Sequence, residues 1–126
     1  MLQLNYRDAK PIYEQIKEGI RHLLLTNAIA ADEKLPSVRE LASTLAINPN
    51  TIQRAYRELE AEGYVYSMKG KGTFASSTDF IHKSRAQELL TEFDDVVEEL
   101  FVLDVTKEEL GCRMENLEQG RLVENG

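Results

Sequence analysis

Two closely spaced stretches decide the fold of this chain: Leu35-Pro36-Ser37-Val38-Arg39-Glu40-Leu41-Ala42 and Asn48-Pro49-Asn50-Thr51-Ile52-Gln53-Arg54. In the first, Ser37 and Glu40 have the spacing of a capping box, in which each side chain satisfies a backbone N–H at the start of a helix. In the second, Asn48 is a favoured N-cap and Pro49 a favoured first helical residue. Two short helices separated by a tight turn are therefore predicted.

The second of these helices combines an apolar stripe with a polar surface. Its apolar residues recur at helical spacing and are Ile52, Ala55, Tyr56 and Leu59. Gly63 is placed to end the helix. The other faces carry Asn50, Thr51, Gln53, Arg54 and Arg57. Such side chains have little use in a core, but they suit a helix that enters the major groove of DNA.

An apolar helix precedes this pair. Pro11 suits the first turn of a helix, because the N–H that proline lacks would have no partner there. Apolar residues then recur at helical spacing at Ile12, Ile16, Ile20, Leu23 and Leu24. The pattern predicts a core scaffold helix from about Pro11 to Thr26, followed by a connector over residues 27–34.

After the second helix the pattern changes from helical to extended. Residues 64–66 and 73–75 are rich in strand formers, and the turn between them is basic and rich in glycine. The tip of this hairpin carries Lys69, Gly70 and Lys71. Three helices followed by a hairpin is the order of a winged helix-turn-helix. We therefore expect residues 1–75 to form such a domain and to bind double-stranded DNA, in a mainly α fold with one small β-hairpin.

Each candidate contact has a plainer explanation when it is taken alone. Arg39 and Arg57 could be solvated surface arginines, and Gly70 could serve only the turn, since glycine readily adopts positive φ. Gln53 either makes a polar contact or faces solvent. DNA binding is favoured because all of these residues fall on elements that would approach one duplex. The full candidate set is Ser37, Arg39, Asn50, Thr51, Gln53, Arg54, Arg57, Lys69, Gly70 and Lys71.

Charge is distributed unevenly along the 126 residues. The net charge of −7 is unusual for a protein that binds a polyanion. Residues 1–75 hold 10 Lys and Arg against 9 Asp and Glu, whereas residues 76–126 hold 5 against 13. We expect the acidic part to face away from DNA, while the near-neutral part can still present a local basic face. Composition therefore permits nucleic-acid binding and suggests a functional division near residue 75.

Residues 76–126 are predicted to form two helices. Ser76–Asp79 has the composition of a short polar linker. An amphipathic helix follows and breaks at Asp104-Val105. Thr106–Glu109 then has the spacing of a second capping box, for a helix that Gly120 is expected to end.

The apolar residues of these two helices form a predicted dimer interface of Leu89, Phe93, Val96, Val97, Leu100, Phe101, Leu110, Met114 and Leu117. Two helices of this size cannot bury both apolar stripes against each other. A partner chain offering the same pair would cover them, which makes a symmetric homodimer the economical interpretation. The alternative is that the segment folds back on the winged helix. A ligand site at the dimer interface stays open, and no effector is identified.

Other classes of function find little support. The only histidines, His22 and His82, lie far apart, and no Ser-His-acid spacing occurs, so no catalytic residues are expected. Two histidines and one cysteine argue against a metal site, and no cofactor is expected. No apolar run approaches the roughly 20 residues of a membrane span, and the N-terminus lacks the regions of a signal peptide. The single cysteine, Cys112, fits a reducing cytoplasm.

These motifs resemble those of the GntR family of bacterial transcription regulators over residues 10–75. The residues that carry the resemblance are Pro11-Ile12-Tyr13, Leu35-Pro36-Ser37, Arg39-Glu40-Leu41-Ala42, Asn48-Pro49-Asn50-Thr51, Arg54-Ala55-Tyr56, Leu59-Glu60, Gly63 and Gly70-Lys71-Gly72-Thr73-Phe74. The short helical tail, in place of a large effector domain, is similar to that of the YtrA-like subfamily. The resemblance implies a homodimer that binds a palindromic operator and represses its own operon, often one encoding an ABC transporter.

The resemblance also implies roles for individual residues. It places a phosphate or base contact on Arg39. The recognition-helix contacts fall around Asn50, Thr51, Gln53 and Arg54, and the wing contacts fall on Lys69, Gly70 and Lys71. This chain departs from the family pattern at Asn27 and Asp32, which stand where glycines are common and which also tolerate left-handed geometry. It departs again at Gln53, where valine is common.

A winged helix that binds proteins instead of DNA is the main alternative. Such a module would not require Arg39, Arg54 and the wing lysines together. A gel-shift experiment with DNA distinguishes the two interpretations.

Overall fold

This computed structural model describes residues 2–125, and the side chains of residues 2–121. The elements in chain order are α1 (Ile12–Leu25), α2 (Val38–Leu45), α3 (Pro49–Ala61), β1 (Val65–Met68), β2 (Gly72–Ala75), α4 (Thr78–Val102) and α5 (Lys107–Asn125). The prediction of a mainly α fold with a small β-hairpin is confirmed. The chain divides into two compact units, the first ending at Ala86 and the second beginning at Gln87.

The core of the first unit lies where α1, α2 and α3 meet. Fully or almost fully buried side chains come from all three helices and from the hairpin: Ile16, Ile20, Leu24, Leu41, Ala42, Ile52, Ala55, Tyr56, Leu59, Val65 and Ala75. Their spacing matches the apolar stripes of the sequence. Each large aliphatic side chain buried in this way contributes about 1.5–3 kcal/mol. The buried apolar stripe of α3 therefore fixes the orientation of that helix.

Both helix starts in the deciding stretch are confirmed. The Ser37 Oγ accepts a hydrogen bond from the Glu40 N–H at 3.1 Å, and the Ser37 N–H donates to the Glu40 carboxylate at 3.4 Å. α2 ends where Ala46 adopts a left-handed φ of 54°. The Asn48 Oδ1 then accepts from the Asn50 N–H at 2.9 Å, so that α3 starts at once.

The connector between α1 and α2 forms a third extended segment along β2. The Leu35 N–H donates to the Thr73 carbonyl at 2.8 Å, and the Ala75 N–H donates to the Glu33 carbonyl at 2.8 Å. The sequence did not indicate this pairing. It joins the start of the helix-turn-helix directly to the hairpin.

The hairpin pairs β1 with β2 in antiparallel register from Val65↔Ala75 to Met68↔Gly72. The Lys71 N–H donates to the Met68 carbonyl at 2.9 Å and closes the turn. β1 starts one residue later than predicted, at Val65, and β2 starts one residue earlier, at Gly72. The turn with its lysines therefore lies at the tip, as predicted.

Three helix boundaries differ from the prediction. Ser76–Asp79 is not a linker throughout, because α4 begins at Thr78, where the Ser77 Oγ accepts from the Phe80 N–H at 3.3 Å. Gly120 does not end α5, which continues to Asn125, because a glycine in a helix costs only about 1 kcal/mol and does not by itself break it. Pro11 lies at the N-cap, one residue before α1.

The first turns of α4 belong to the first unit. Ile81 is buried in its core, and the Ser84 Oγ donates to the Glu62 carbonyl at 2.6 Å. This unit therefore extends beyond residue 75, where the sequence suggested a division. The local cause is the Ser77 cap, which continues the chain from β2 straight into a helix.

The second unit consists of the rest of α4 and α5, joined by a tight turn. Asp104 has a left-handed φ of 65°, and the Val105 N–H donates to the Leu100 carbonyl at 3.0 Å. The Glu109 N–H donates to the Thr106 Oγ1 at 3.2 Å, which is the backbone half of the expected capping box. In this single chain Val97, Leu100 and Leu110 are half-buried. Large apolar side chains left exposed are Leu89, Leu90, Phe93, Val96, Phe101, Val102, Leu103, Met114 and Leu117.

Candidate nucleic-acid interface

The exposed surface of α3 is polar and lies opposite its buried stripe. Asn50, Gln53 and Arg57 are spaced i, i+3 and i+7, which places them on one face of a helix with 3.6 residues per turn. All three are exposed, whereas Thr51 is half-buried at the edge. The structure therefore presents two amides and one guanidinium together on the outer face of the helix.

A hydrogen bond from Tyr56 anchors α3 to the segment before α2. The Tyr56 hydroxyl donates to the Pro36 carbonyl at 2.7 Å. Burial raises the pKa of the Tyr56 phenol to about 12, and the nearby Glu40 carboxylate adds to the increase. The phenol is therefore neutral and a hydrogen-bond donor at physiological pH.

Arg54 lies on the side of α3 that faces α1. Its guanidinium carbon is 3.7 Å from the centre of the Tyr13 ring, and its Nε donates to the Glu58 carboxylate at 3.3 Å. Lys17 also donates to Glu58, at 3.1 Å. The hydrogen bond from Lys17, followed by that from Arg54, lowers the pKa of Glu58 despite some desolvation. The Arg54 side chain remains 53% exposed, so it is held by the protein but open on one side.

Arg39 and Ser37 lie at the start of α2. Arg39 is the second residue of the helix and is exposed, as predicted. The Ser37 Oγ is occupied as an acceptor by the capping box, while a hydroxyl can still donate its own proton. Ser37 could therefore contact DNA only by donating a hydrogen bond from its hydroxyl group.

The hairpin tip presents Lys69 and Lys71, both exposed, on either side of Gly70. A further lysine, which the sequence pattern did not single out, approaches the same turn. Lys34 pairs with Phe74 in an antiparallel bridge. Its Cε lies 2.8 Å from where a Cβ would stand on Gly72, whose φ is 120°. The backbone hydrogen bonds that bring Lys34 here join residues far apart in the sequence. The only local feature that could have indicated its role is that a basic residue stands directly before the Leu-Pro-Ser motif.

Hydrogen bonds hold α2, α3 and the hairpin side by side. The Tyr56 bond joins α3 to the segment before α2, and the Leu35 N–H joins that segment to Thr73 of β2. The Ser67 N–H of β1 donates to the Glu60 carboxylate of α3 at 3.2 Å. Basic and amide side chains from three elements are thus fixed relative to one another, and such donors bind phosphates and base edges.

Metal and membrane chemistry have no corresponding features in the part of the chain that the structure describes. Within residues 2–121, no group of three or more His, Cys, Asp or Glu side chains is placed to hold a metal ion. Among the described helices, none is long and apolar enough to cross a membrane.

Comparison with known proteins identifies the family. Residues 12–75 match the sequence profile of the bacterial regulatory proteins of the gntR family. The HTH-type transcriptional repressor YtrA of Bacillus subtilis (strain 168) is 46% identical over 76 residues, which are 60% of this chain and 58% of that repressor. The uncharacterized HTH-type transcriptional regulator YhcF of the same bacterium is 39% identical over 109 residues, 83% of this chain and 88% of the relative.

Solved structures agree with this result. A transcriptional regulator from Oenococcus oeni has a TM-score of 0.70 and 32% identity, covering 93% of this chain and 98% of that one. The AraR DNA-binding domain in complex with an operator has a TM-score of 0.52 and 32% identity, covering 59% of this chain and 89% of that one. These proteins are transcription regulators and not enzymes, and the resemblance to GntR regulators of the YtrA type is confirmed. The chain belongs to the gntR family of bacterial regulatory proteins.

Proposed function

We propose that this DNA-binding transcription regulator is a cytoplasmic repressor that binds a palindromic operator as a homodimer. The observation that carries the proposal is the outer face of α3, with Asn50, Gln53 and Arg57 exposed together beside a lysine-bearing hairpin. In this proposal α3 enters the major groove. Arg39 and the hairpin lysines contact phosphates or the minor groove, which positions the protein without reading sequence.

The charge distribution supports this orientation. Most of the acidic residues lie after β2, since residues 76–126 hold 13 Asp and Glu against 5 Lys and Arg. Electrostatic repulsion would keep these residues away from the DNA phosphates. The first unit, with its exposed lysines on the hairpin, would then make the contact.

Dimerisation is supported by the apolar surface of the second unit. Phe93, Val96 and Met114 are each about half exposed in the single chain, at 45%, 55% and 51%. Several large apolar side chains exposed on the same two helices favour an interaction site there. A second copy presents the same two helices and would cover it in a two-fold arrangement, and a two-fold protein matches an inverted repeat.

Repression is proposed by similarity to YtrA, which is a transcriptional repressor. Only 58% of the length of that repressor is matched here. The natural target is the operon that encodes the chain itself, with transporter genes as the candidates that the family resemblance suggests.

A gel-shift titration with the promoter region of its own gene tests the proposal. The wild-type chain should retard this fragment at concentrations that leave an unrelated fragment of equal length unbound. The double variant Arg39→Ala/Lys71→Ala should bind much more weakly, whereas Arg113→Ala in the second unit, where the arginine is also exposed, should bind like the wild type. Equal, weak retardation of both fragments by the wild type would instead favour the protein-interaction module.

A further inference from the structure

α3 carries a basic residue and two amides near its start, and their contacts within the protein differ. Arg54 is engaged with its own protein, stacked on Tyr13 at 3.7 Å and bonded to Glu58 at 3.3 Å. To reach a base edge, its guanidinium would have to leave both partners. Glu58 is itself held by Lys17 and has a lowered pKa, so it stays ionised and keeps its hold on the arginine.

The amide side chains of Asn50 and Gln53 are not held by comparable hydrogen bonds. Within residues 2–121, neither amide side chain has a hydrogen-bond partner in the chain, and both are exposed. The start of α3 is nevertheless fixed, because Asn48 caps the Asn50 N–H at 2.9 Å. The two amides are thus free to bind, but on a helix turn that is already ordered.

We infer that Asn50 and Gln53 each read an adenine in neighbouring base pairs of the operator half-site, while Arg54 is a positioning residue that contacts only the DNA backbone. This inference rests on the proposed function. A carboxamide pairs with adenine in two hydrogen bonds, accepting from N6 and donating to N7. Three helical residues rise about 4.5 Å, close to the roughly 3.4 Å between base pairs, so the two adenines should be adjacent or one pair apart.

Arg54 then links three partners. Its stacked face joins α3 to α1 through Tyr13, its Nε is bonded to Glu58, and its exposed side is open to a phosphate. A contact of this kind strengthens binding to every sequence and selects none. The family resemblance had placed Arg54 among the recognition-helix contacts without separating base contacts from backbone contacts.

Selection from a random library of double-stranded DNA tests the inference. The full-length wild type, Gln53→Ala and Arg54→Ala are compared, with Gln119→Ala as a matched control for loss of an exposed amide in α5. The wild type and the control should enrich one motif with A·T pairs at the two positions. Gln53→Ala should lose the preference at one of them and keep the rest. Arg54→Ala should give the wild-type motif with lower affinity for all sequences.

Two further measurements make the result independent of any single variant. Replacing the adenine at the position where Gln53→Ala loses its preference with 7-deazaadenine removes the N7 acceptor and should weaken wild-type binding by about 5- to 150-fold. The same replacement should have no effect on Gln53→Ala. Gln53→Arg should change the preferred pair at that position from A·T to G·C, since arginine pairs with guanine.

The outcomes separate this inference from the function on which it rests. If the wild type enriches no motif, the proposed function fails. If the wild type enriches a motif that Gln53→Ala leaves unchanged, or that Arg54→Ala alters at a single position, DNA recognition stands and the assignment of readers is wrong. Folding of each variant is checked by its helical circular dichroism, which substitutions at exposed helix positions should leave intact.

Discussion

The Tyr56 hydroxyl donates a hydrogen bond to the Pro36 carbonyl oxygen across 2.7 Å, joining α3 to the segment that precedes α2. Tyr56 also belongs to the buried stripe of α3, with 5% of its surface exposed. The same side chain thus packs in the core and sets the angle at which α3 leaves it. Recognition depends on this angle, because base contacts must be placed to within about half an ångström.

We predict that Tyr56→Phe lowers the free energy of unfolding by about 0.5–1.5 kcal/mol, since the Pro36 carbonyl loses its donor while the packing of the ring is kept. Chemical denaturation monitored by circular dichroism measures the change. Tyr6→Phe is the matched control, because Tyr6 is 69% exposed. Equal stability of Tyr56→Phe and wild type would show that the bond contributes nothing.

The raised pKa of Tyr56 makes a separate prediction about alkaline pH. Well below pH 10 the phenol is protonated in both the folded and the unfolded chain, so it adds no pH dependence. Between its unfolded value of 10.0 and its folded value of about 12, the unfolded chain loses the proton first, and stability falls as pH rises. The wild type should therefore lose more stability over this range than Tyr56→Phe does. Parallel pH curves for the two proteins would contradict the burial of an ionisable phenol.

Gly72 is predicted to be required for the shape of the hairpin. Its φ of 120° is unfavourable for other residues, and a Cβ there would lie 2.8 Å from the Lys34 Cε. Gly72→Ala should destabilise the first unit by on the order of 1–3 kcal/mol. Gly120→Ala is the contrasting variant, because Gly120 lies inside α5 with open space around it and alanine should stabilise that helix by up to about 1 kcal/mol. Thermal melts that rank the two variants in the opposite order would refute both assignments.

Lys34 and the two hairpin lysines, Lys69 and Lys71, should act on all DNA sequences alike. We predict that Lys71→Ala and Lys34→Ala each reduce the slope of log affinity against log salt by about 0.9 for each phosphate that is no longer neutralised. Specific and non-specific DNA should lose affinity by similar factors. Lys107→Ala, an exposed lysine at the start of α5, is the control and should leave the slope unchanged. A Lys34→Ala variant with an unchanged slope would remove that residue from the interface.

Phe93 tests the proposed dimer. Phe93→Glu replaces an apolar side chain that is 45% exposed in the single chain with a charged one. The monomer should tolerate this charge, whereas a dimer interface would have to bury it. Sedimentation should show a dimer for the wild type and a monomer for Phe93→Glu. Thr91→Glu adds the same charge on the opposite side of α4 and should remain dimeric. A wild-type monomer at micromolar concentration would refute the proposal.

The parts of this fold that the sequence predicts well are those that depend on residues close together in the sequence. The Ser37–Glu40 capping box, the Asn48 cap and the apolar stripes all depend on residues within a turn or two, and they are found where expected. The pairing of the connector with β2 was missed because it joins residues about forty positions apart, and no local pattern marks it. The position of Lys34 beside the hairpin turn was not predicted for the same reason.

The environment of Arg54 shows what a motif alone leaves out. The pattern places this arginine on a recognition helix, but its contacts with Tyr13 and Glu58 depend on how α1 packs against α3. Gly120 is a different case. Glycine often ends a helix, yet α5 continues past it to Asn125, because glycine in a helix interior costs only about 1 kcal/mol.

Footprinting on the promoter DNA tests the central claim most directly. A homodimer with α3 of each chain in the major groove should protect two half-sites of an inverted repeat, with their centres about 10 base pairs apart or a modest departure from it. Protection should be symmetric and should disappear with Phe93→Glu at concentrations where the wild type binds fully. A single unsymmetrical protected segment, or identical protection by the monomeric variant, would contradict the account.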